Sequence, residues 1–286
     1  MSRSFSQLLT YRLTPNAPVE HVLNEAFRNL CKDEALEELS WGRWVEDESF
    51  VDVLITWQGG INSINPEKAF RYLSPLNAHL RGDIPPVSLV LESSLSGLHL
   101  TRDDGAHVTI TSFRIPASAY AADPGIKQRI VDVFRALAHG DPRHGSHYIP
   151  PPEDEIPLSH RIGTAAGHWS SAWVESGSSS TEKNDDKRWI ACLQWDIPHL
   201  ETEFKARQNR HFLLRLQKID GIHGLDIEDS SDAKFEEDDP VLASRAFWKP
   251  ITETWDTSFE EHHVLFRKID KYSMVGNGSW SSCIIQ

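Results

Sequence analysis

The chain has 286 residues, with 42 acidic against 29 basic side chains and a formal net charge of −13. That balance excludes a broad basic face and so argues against nucleic acid and against an anionic membrane surface as partners. Three widely spaced cysteines (Cys31, Cys192, Cys283), no N-terminal apolar signal region and no long apolar run point to a reduced, cytoplasmic protein without a disulfide framework.

Ser6 to Leu13 reads as a strand, and Asn16-Ala17-Pro18 supplies helix-start chemistry after it. Val19, Val22, Leu23, Ala26, Phe27, Leu30 and Cys31 then recur at the spacing of one helical face. A second strand carries Trp41 and Trp44, and Phe50 to Gln58 is rich in β-branched and aromatic residues, as a buried strand requires. Asn65-Pro66 opens a second helix that Pro75 should break or kink. Val87 to Leu91 completes the order βαββαβ.

The pattern restarts at Ala106, where Thr111 to Ile115 echoes Thr10 to Leu13, and Asp123-Pro124 caps a helix running to Leu137. His139 to His168 is a long insertion rich in proline and histidine, and Ser176 to Asp186 is a polar tongue. Arg188 to Trp195 reads as a third strand, followed by a long helix from Leu200 to Gly221. Between Asp226 and Asp239 eight carboxylates face one lysine, a run read as a solvated loop because the ligand spacing of an EF-hand is missing. Ala243 to Trp248 is expected to be the fourth strand, and His262 to Ile269 a further strand or short helix.

The phrase Ser40-Trp41-Gly42-Arg43-Trp44-Val45-Glu46, followed by Val53-Leu54-Ile55-Thr56-Trp57-Gln58, returns later. It reappears as His168-Trp169-Ser170-Ser171-Ala172-Trp173-Val174-Glu175, followed by Ala191-Cys192-Leu193-Gln194-Trp195-Asp196. Six of the ten tryptophans lie in these two phrases, which makes a diverged internal duplication the economical reading. The expected domains are 1–105 and 106–286, the second with insertions at 139–168 and 176–186 and a C-terminal extension. A four-stranded antiparallel sheet with both helices on one face leaves its other face uncovered, and two copies can cover each other.

With Trp57-Gln58 and Trp195-Asp196 each closing a third strand before a helix, the chain resembles the dimeric α+β barrel superfamily, in its antibiotic-biosynthesis-monooxygenase and stress-responsive branches. The resemblance implies an α+β fold of two tandem ferredoxin-like βαββαβ units, packed sheet to sheet as an intramolecular barrel. A monomer or weak homodimer would then suffice. It also implies a range of activities, from small cofactor-independent oxygenases and polyketide cyclases to decarboxylases, haem enzymes and proteins without known activity.

Trp41, Trp44, Trp57, Trp169, Trp173 and Trp195 are candidates to line a pocket for a flat apolar molecule, though each reads equally well as an ordinary core aromatic. Acid–base chemistry on an enolisable substrate needs a near-neutral base and a donor for the enolate oxygen, needs that histidine and tyrosine meet. Tyr72 and His79 lie seven apart on the second helix, a pair similar in type to that of plant polyketide cyclases in the superfamily; the alternative makes His79 a helix-end residue serving the last carbonyls. His107 shares a strand face with Thr109 and Thr111, where the first repeat has Phe5, Gln7 and Leu9. That polar face would line a cavity if Val108 and Ile110 meet the helices, which makes His107 a candidate base. His168 is a candidate to turn inward from the long insertion. His144 and His147 lack the helical spacing of a zinc pair, so no metal is expected; no cofactor is expected either, since Gly-rich phosphate loops are missing and no histidine is singled out as a haem ligand, and the missing serine elbow disfavours serine hydrolysis.

Cys283-Ile284-Ile285-Gln286 matches a prenylation signal, so membrane association is expected only if Cys283 is lipidated. Without lipidation these residues close a final hairpin turned at Asn277-Gly278. The leading expectation is a cofactor-independent cyclase, isomerase or dehydratase of secondary metabolism. It would act on a hydrophobic polyketide- or terpenoid-like small molecule by histidine acid–base chemistry. The alternatives are a cofactor-independent monooxygenase of phenolic or anthrone substrates, and a non-catalytic stress-responsive or ligand-binding protein.

Overall fold

The computed structural model describes residues 4–15, 17–61, 65–82, 84–100, 105–138, 166–175, 186–206, 239–271 and 274. The fold is mixed α+β, and the chain divides into two compact units. Unit one comprises Met1–Val108, Ala172–Thr181 and His262–Gln286; unit two comprises Thr109–Ser171 and Glu182–Glu261. Most of the 139–168 insertion, the 176–186 tongue, the 226–239 acidic run, the expected helix beyond residue 206 and Cys283 lie outside the described residues.

Unit one runs β1 (Phe5–Arg12), α1 (Val19–Leu30), β2 (Leu36–Trp44), β3 (Phe50–Trp57), α2 (Glu67–Tyr72) and β4 (Val87–Val90). Its strand order is β4-β1-β3-β2, with the end of β8 (Ser258–Lys268) beside β2. β1 pairs antiparallel with β3 from Phe5 opposite Trp57 to Arg12 opposite Phe50. α1 buries Val19, Val22, Leu23, Ala26, Phe27 and Leu30, the face expected from their spacing. Alternation along the strands sends Leu9, Tyr11, Val53, Ile55 and Trp57 into the same buried cluster as that helix. The opposite face therefore carries Ser6, Thr10, Arg12, Asp52 and Thr56. Pro75 ends the α-helical geometry: α2 stops at Tyr72 and the chain continues as a 3₁₀ turn over Ser74–His79, because proline lacks the N–H and crowds the carbonyl four residues back.

Unit two takes up β5 (Ala106–Ile115) from Thr109 and continues through α3 (Ala117–Ala122), α4 (Ile126–Ala138), β6 (Ala166–Trp173) and β7 (Lys187–Trp195). Helical residues 201–206 and α5 (Pro240–Thr252) then lead into β8. The strand order is β8-β5-β7-β6, so in each unit the first strand lies between the third and the last. Asp123 caps the approach to α4, accepting from Gly125 N at 2.9 Å.

Two expectations change here. Ala243 to Trp248 is helix, not strand, and the strand is Ser258–Lys268. Asp239 is a working N-cap, accepting from Val241 N at 2.8 Å and Leu242 N at 3.2 Å, and Pro240 follows at the first helical position. Ala243, Phe247 and Ile251 then bury one face at helical spacing. The polar face of β5 also meets the helices. Thr109 Oγ1 donates to Glu201 Oε1 at 2.8 Å, and Phe113 packs edge-on against Trp248 of α5.

Candidate functional site

Unit one holds a carboxylate where the sequence around it is apolar. Asp52 sits in β3 between Val51 and Val53 and is completely buried. Isolated ionised carboxylates are too costly to bury, so this one must be bonded. Thr10 Oγ1 donates to its Oδ1 at 2.6 Å from the paired position on β1, and His262 Nε2 lies 3.0 Å from its Oδ2. An Nε2–H directed at a carboxylate fixes the imidazole as the tautomer whose Nδ1 carries the lone pair. Among the described residues that Nδ1 has no hydrogen-bond partner.

His262 reaches its partner across an intervening strand. Asp52 pairs with Gly42 of β2, and β8 lies on the far side of β2. β3 and β8 are thus about 9–10 Å apart. Gly42 has no side chain to stand in that gap. A Cβ there would come within 2.3 Å of Leu265 O and 2.7 Å of Val264 Cγ1, so β8 could not lie as close. The Trp44 ring stacks on His262 with centroids 3.8 Å apart and planes 19° off parallel, and Phe50 stacks on Trp44 at 4.3 Å. Arg12 completes the row, its Cζ 5.3 Å from the Phe50 centroid. Two donors in this row, Arg12 Nε and Trp44 Nε1, are buried with no acceptor among the described residues.

Such a cluster can do acid–base work. The carboxylate orients the imidazole and stabilises the imidazolium formed when Nδ1 takes a proton, while the indole face adds cation–π attraction. Asp52 and His262 offer only two metal ligands, below the three or four protein ligands of a zinc site.

The polar cluster of unit two is of another kind. Lys205, 2 % exposed at its side chain, donates to Glu261 Oε1 and Ser244 Oγ at 2.8 Å each and pairs with Glu201 Oε1 at 2.7 Å. Glu261 also accepts from Ser244 at 2.6 Å, Trp248 Nε1 at 2.9 Å and Thr111 at 3.0 Å. Burial pushes the Glu261 carboxyl up, but the charge and hydrogen bond of Lys205, with the bonds from Ser244 and Trp248, more than offset it and hold the group below the usual glutamate range. Lys205 takes the place a cation would occupy between the two carboxylates, and its ammonium spends its three donors on them and on Ser244. This is a satisfied structural network.

The residues singled out in the sequence fall in several places. Tyr72 donates from its hydroxyl to Asp33 Oδ2 at 3.2 Å, and Lys68 pairs with the same carboxylate. His79 lies half-buried in the 3₁₀ turn, where its carbonyl accepts from Thr14 N. His107 is exposed on β5, and His168 is half-buried on β6. Trp41 and Trp57 enter one core cluster, with Trp57 Nε1 donating to Gln7 Oε1 at 3.3 Å. Trp195 is held similarly in its own unit, donating to Thr109 Oγ1 at 2.7 Å and packing edge-on against Phe204. Trp169 packs edge-on against Phe134, and Trp173 is buried. Trp44, unlike Trp41 and Trp57 of the same unit, lies outside that core cluster and stacks on the ring of His262.

Asp52, His262, Thr10 and Arg12 are not marked as a site by any motif in the sequence. One signal was readable: Asp52 is the lone charge within Phe50–Trp57, a strand otherwise apolar but for Thr56.

No family model and no curated protein matches the chain. Among solved structures it is similar to an anthrone oxidase-like protein, with 10 % identity, a TM-score of 0.48, and coverage of 94 % of this chain and 95 % of that one. It is similar to a Fusobacterium nucleatum protein described as monooxygenase-like, at 8 % identity and TM-score 0.48 over 94 % and 95 % of the two chains. A chlorite dismutase-like protein matches at 10 % identity and TM-score 0.46 over 96 % and 98 %.

Proposed function

We propose that this protein is an acid–base enzyme that moves a proton on a flat, hydrophobic carbonyl compound, with His262 as the base and Asp52 as its orienting partner. The reading includes two tandem ferredoxin-like units, 1–105 and 106–286. Support for the tandem comes from the matching strand order in each unit and from Trp57 and Trp195, which make the same kind of bond to the first strand, at Gln7 and Thr109. The observation that carries the chemistry is the fully buried Asp52 carboxylate, bonded by Thr10 on one oxygen and His262 on the other, on the sheet face away from the helical core.

In the step itself, the C–H bond beside the carbonyl breaks. Its proton goes to His262 Nδ1 and its electron pair moves onto the carbonyl oxygen as an enolate. Return of the proton to a different carbon completes an isomerisation, and attack of the enolate carbon on a second carbonyl completes a cyclisation. Asp52 and the Trp44 face stabilise the imidazolium in between.

The test is α-proton exchange of 2-tetralone in D₂O, followed by NMR. The wild-type protein should accelerate exchange over buffer, and His262→Ala should lose at least 100-fold of that acceleration, within the range general-base catalysis supplies. Unchanged exchange in His262→Ala removes the histidine from the mechanism. Oxygen uptake with anthrone, dependent on the protein and on His262, would move the reading to a monooxygenase.

A further inference from the structure

We infer that Arg12 forms an oxyanion subsite, so that the molecule bound at the His262 face is an aromatic compound carrying a carboxylate or another ionised oxygen. The inference rests on the reading of that face as a binding site and narrows its ligand. The chain is acidic, with 42 carboxylate residues against 29 basic ones, yet the hydrogen bonds and ion pairs of the described residues give Arg12 no carboxylate. Its guanidinium lies instead over the Phe50 ring. Asp47 stands near enough to feel Arg12 through space, but its own hydrogen bonds go to Ser49. A guanidinium offers five donors in a fixed fork that matches a carboxylate on two parallel bonds, so a half-buried arginine left without an acceptor is matched to a planar anion.

The neighbours define what the anion is attached to. Arg12, Phe50, Trp44 and His262 form a continuous row of planar groups, at 5.3, 4.3 and 3.8 Å from one to the next. Arg12 Nε and Trp44 Nε1 are both buried without an acceptor among the described residues. Each such donor is desolvated without compensation while it stays unmet, a cost that a ligand oxygen would recover. Arg12 and Thr10 are two residues apart on one face of β1, about 7 Å along the strand, and Thr10 bonds the Asp52 of the dyad. Arg12 and His262 stand at the two ends of the row, three strands apart in the sheet, so a ligand that puts an oxygen on Arg12 and a reacting carbon at His262 needs at least two fused rings. A naphthoate is a probe of that size.

The experiment measures binding of 2-naphthoate and of its neutral counterpart 2-naphthalenemethanol to the full chain by calorimetry and tryptophan fluorescence. The wild type should bind the naphthoate at least tenfold more tightly. Arg12→Met should abolish that preference while leaving 2-naphthalenemethanol within twofold, and Arg12→Lys should keep part of it. His262→Ala should retain the preference although it loses proton exchange. That combination separates the two ideas: a preference without any exchange activity in the wild type sinks the proposed reaction and leaves the subsite standing. Equal binding of the two probes by the wild type, no naphthoate binding at millimolar concentration, or a preference that survives Arg12→Met overturns the subsite.

Discussion

His262 Nε2 stands 3.0 Å from Asp52 Oδ2, although 210 residues separate them in the chain and a whole strand separates them in the sheet. The pairing draws the end of β8 into unit one and gives Asp52 its second donor. Replacing Asp52 by Ala should leave the Thr10 hydroxyl and the imidazole without their acceptor, and the loss of one partner of a buried pair costs about 3 kcal/mol. Urea denaturation of Asp52→Ala checks this. A change below about 0.5 kcal/mol, the size expected at an indifferent surface site, would show that the dyad contributes nothing to the fold.

Gly42 sets the closeness of β8. A methyl group there meets the backbone oxygen of Leu265 at 2.3 Å, an atom that cannot swing aside as a flexible side chain could. Gly42→Ala should therefore push β8 away, destabilise the protein by about 1–3 kcal/mol as overpacking does, and lengthen the His262–Asp52 contact. The expected sign in an NMR spectrum is loss of the downfield, exchange-protected Nε2–H resonance of His262. A folded Gly42→Ala variant with that proton still protected contradicts the account.

Lys205 and Glu261 lead to a prediction about pH. The folded Glu261 carboxyl titrates below its ordinary value of 4.5, so the network stabilises the protein fully above that value. Its contribution fades as pH falls below 4.5 and is gone once pH has passed through the lower folded value. Lys205→Met removes the opposing cation, leaves burial to act on the carboxylate, and should cost about 3–5 kcal/mol at pH 7. The double change Lys205→Met with Glu261→Leu should recover part of that loss, because of the two carboxylates that lose their cation only Glu201 then remains. Thermal melts of the three proteins at pH 7 and pH 4 decide the point: the wild type should lose stability on acidification, and the double variant should lose less. Equal acid sensitivity in the two would place the titrating groups elsewhere.

Much of the first unit was legible because periodicity reports burial directly. The α1 face, the strand from Phe50 to Trp57 and the break at Pro75 all follow from side-chain spacing and from proline's missing donor. The stretch from Ala243 to Trp248 was misread because Ala, Phe and Trp in a short apolar run suit a strand as well as a helix. Asp239-Pro240 at its start carried the deciding signal, and it stood at the end of an acidic run that was read only as charge. The Asp52–His262 pair was out of reach for a different reason. Register between β2 and β8 is a property of the folded sheet, and His262 and His263 differ in sequence by one position. One turns to Asp52 and the other to Glu46, a choice fixed only once β8 has found its neighbour.

Tyr11 supplies a prediction of opposite sign to the others. Its ring is wholly buried on the helical side of β1, opposite Val51, and its hydroxyl has no hydrogen-bond partner among the described residues. Burial pushes the phenol far above its usual range, so the group stays neutral at any pH the protein tolerates, and the penalty is that of an unmet hydroxyl alone. Tyr11→Phe keeps the ring and its contacts while deleting the oxygen. It should therefore stabilise the protein by about 1 kcal/mol, seen as a higher urea midpoint with an unchanged slope. A lower midpoint would mean that the hydroxyl has found an acceptor, and the core around α1 would then contain a polar contact that its apolar lining does not supply.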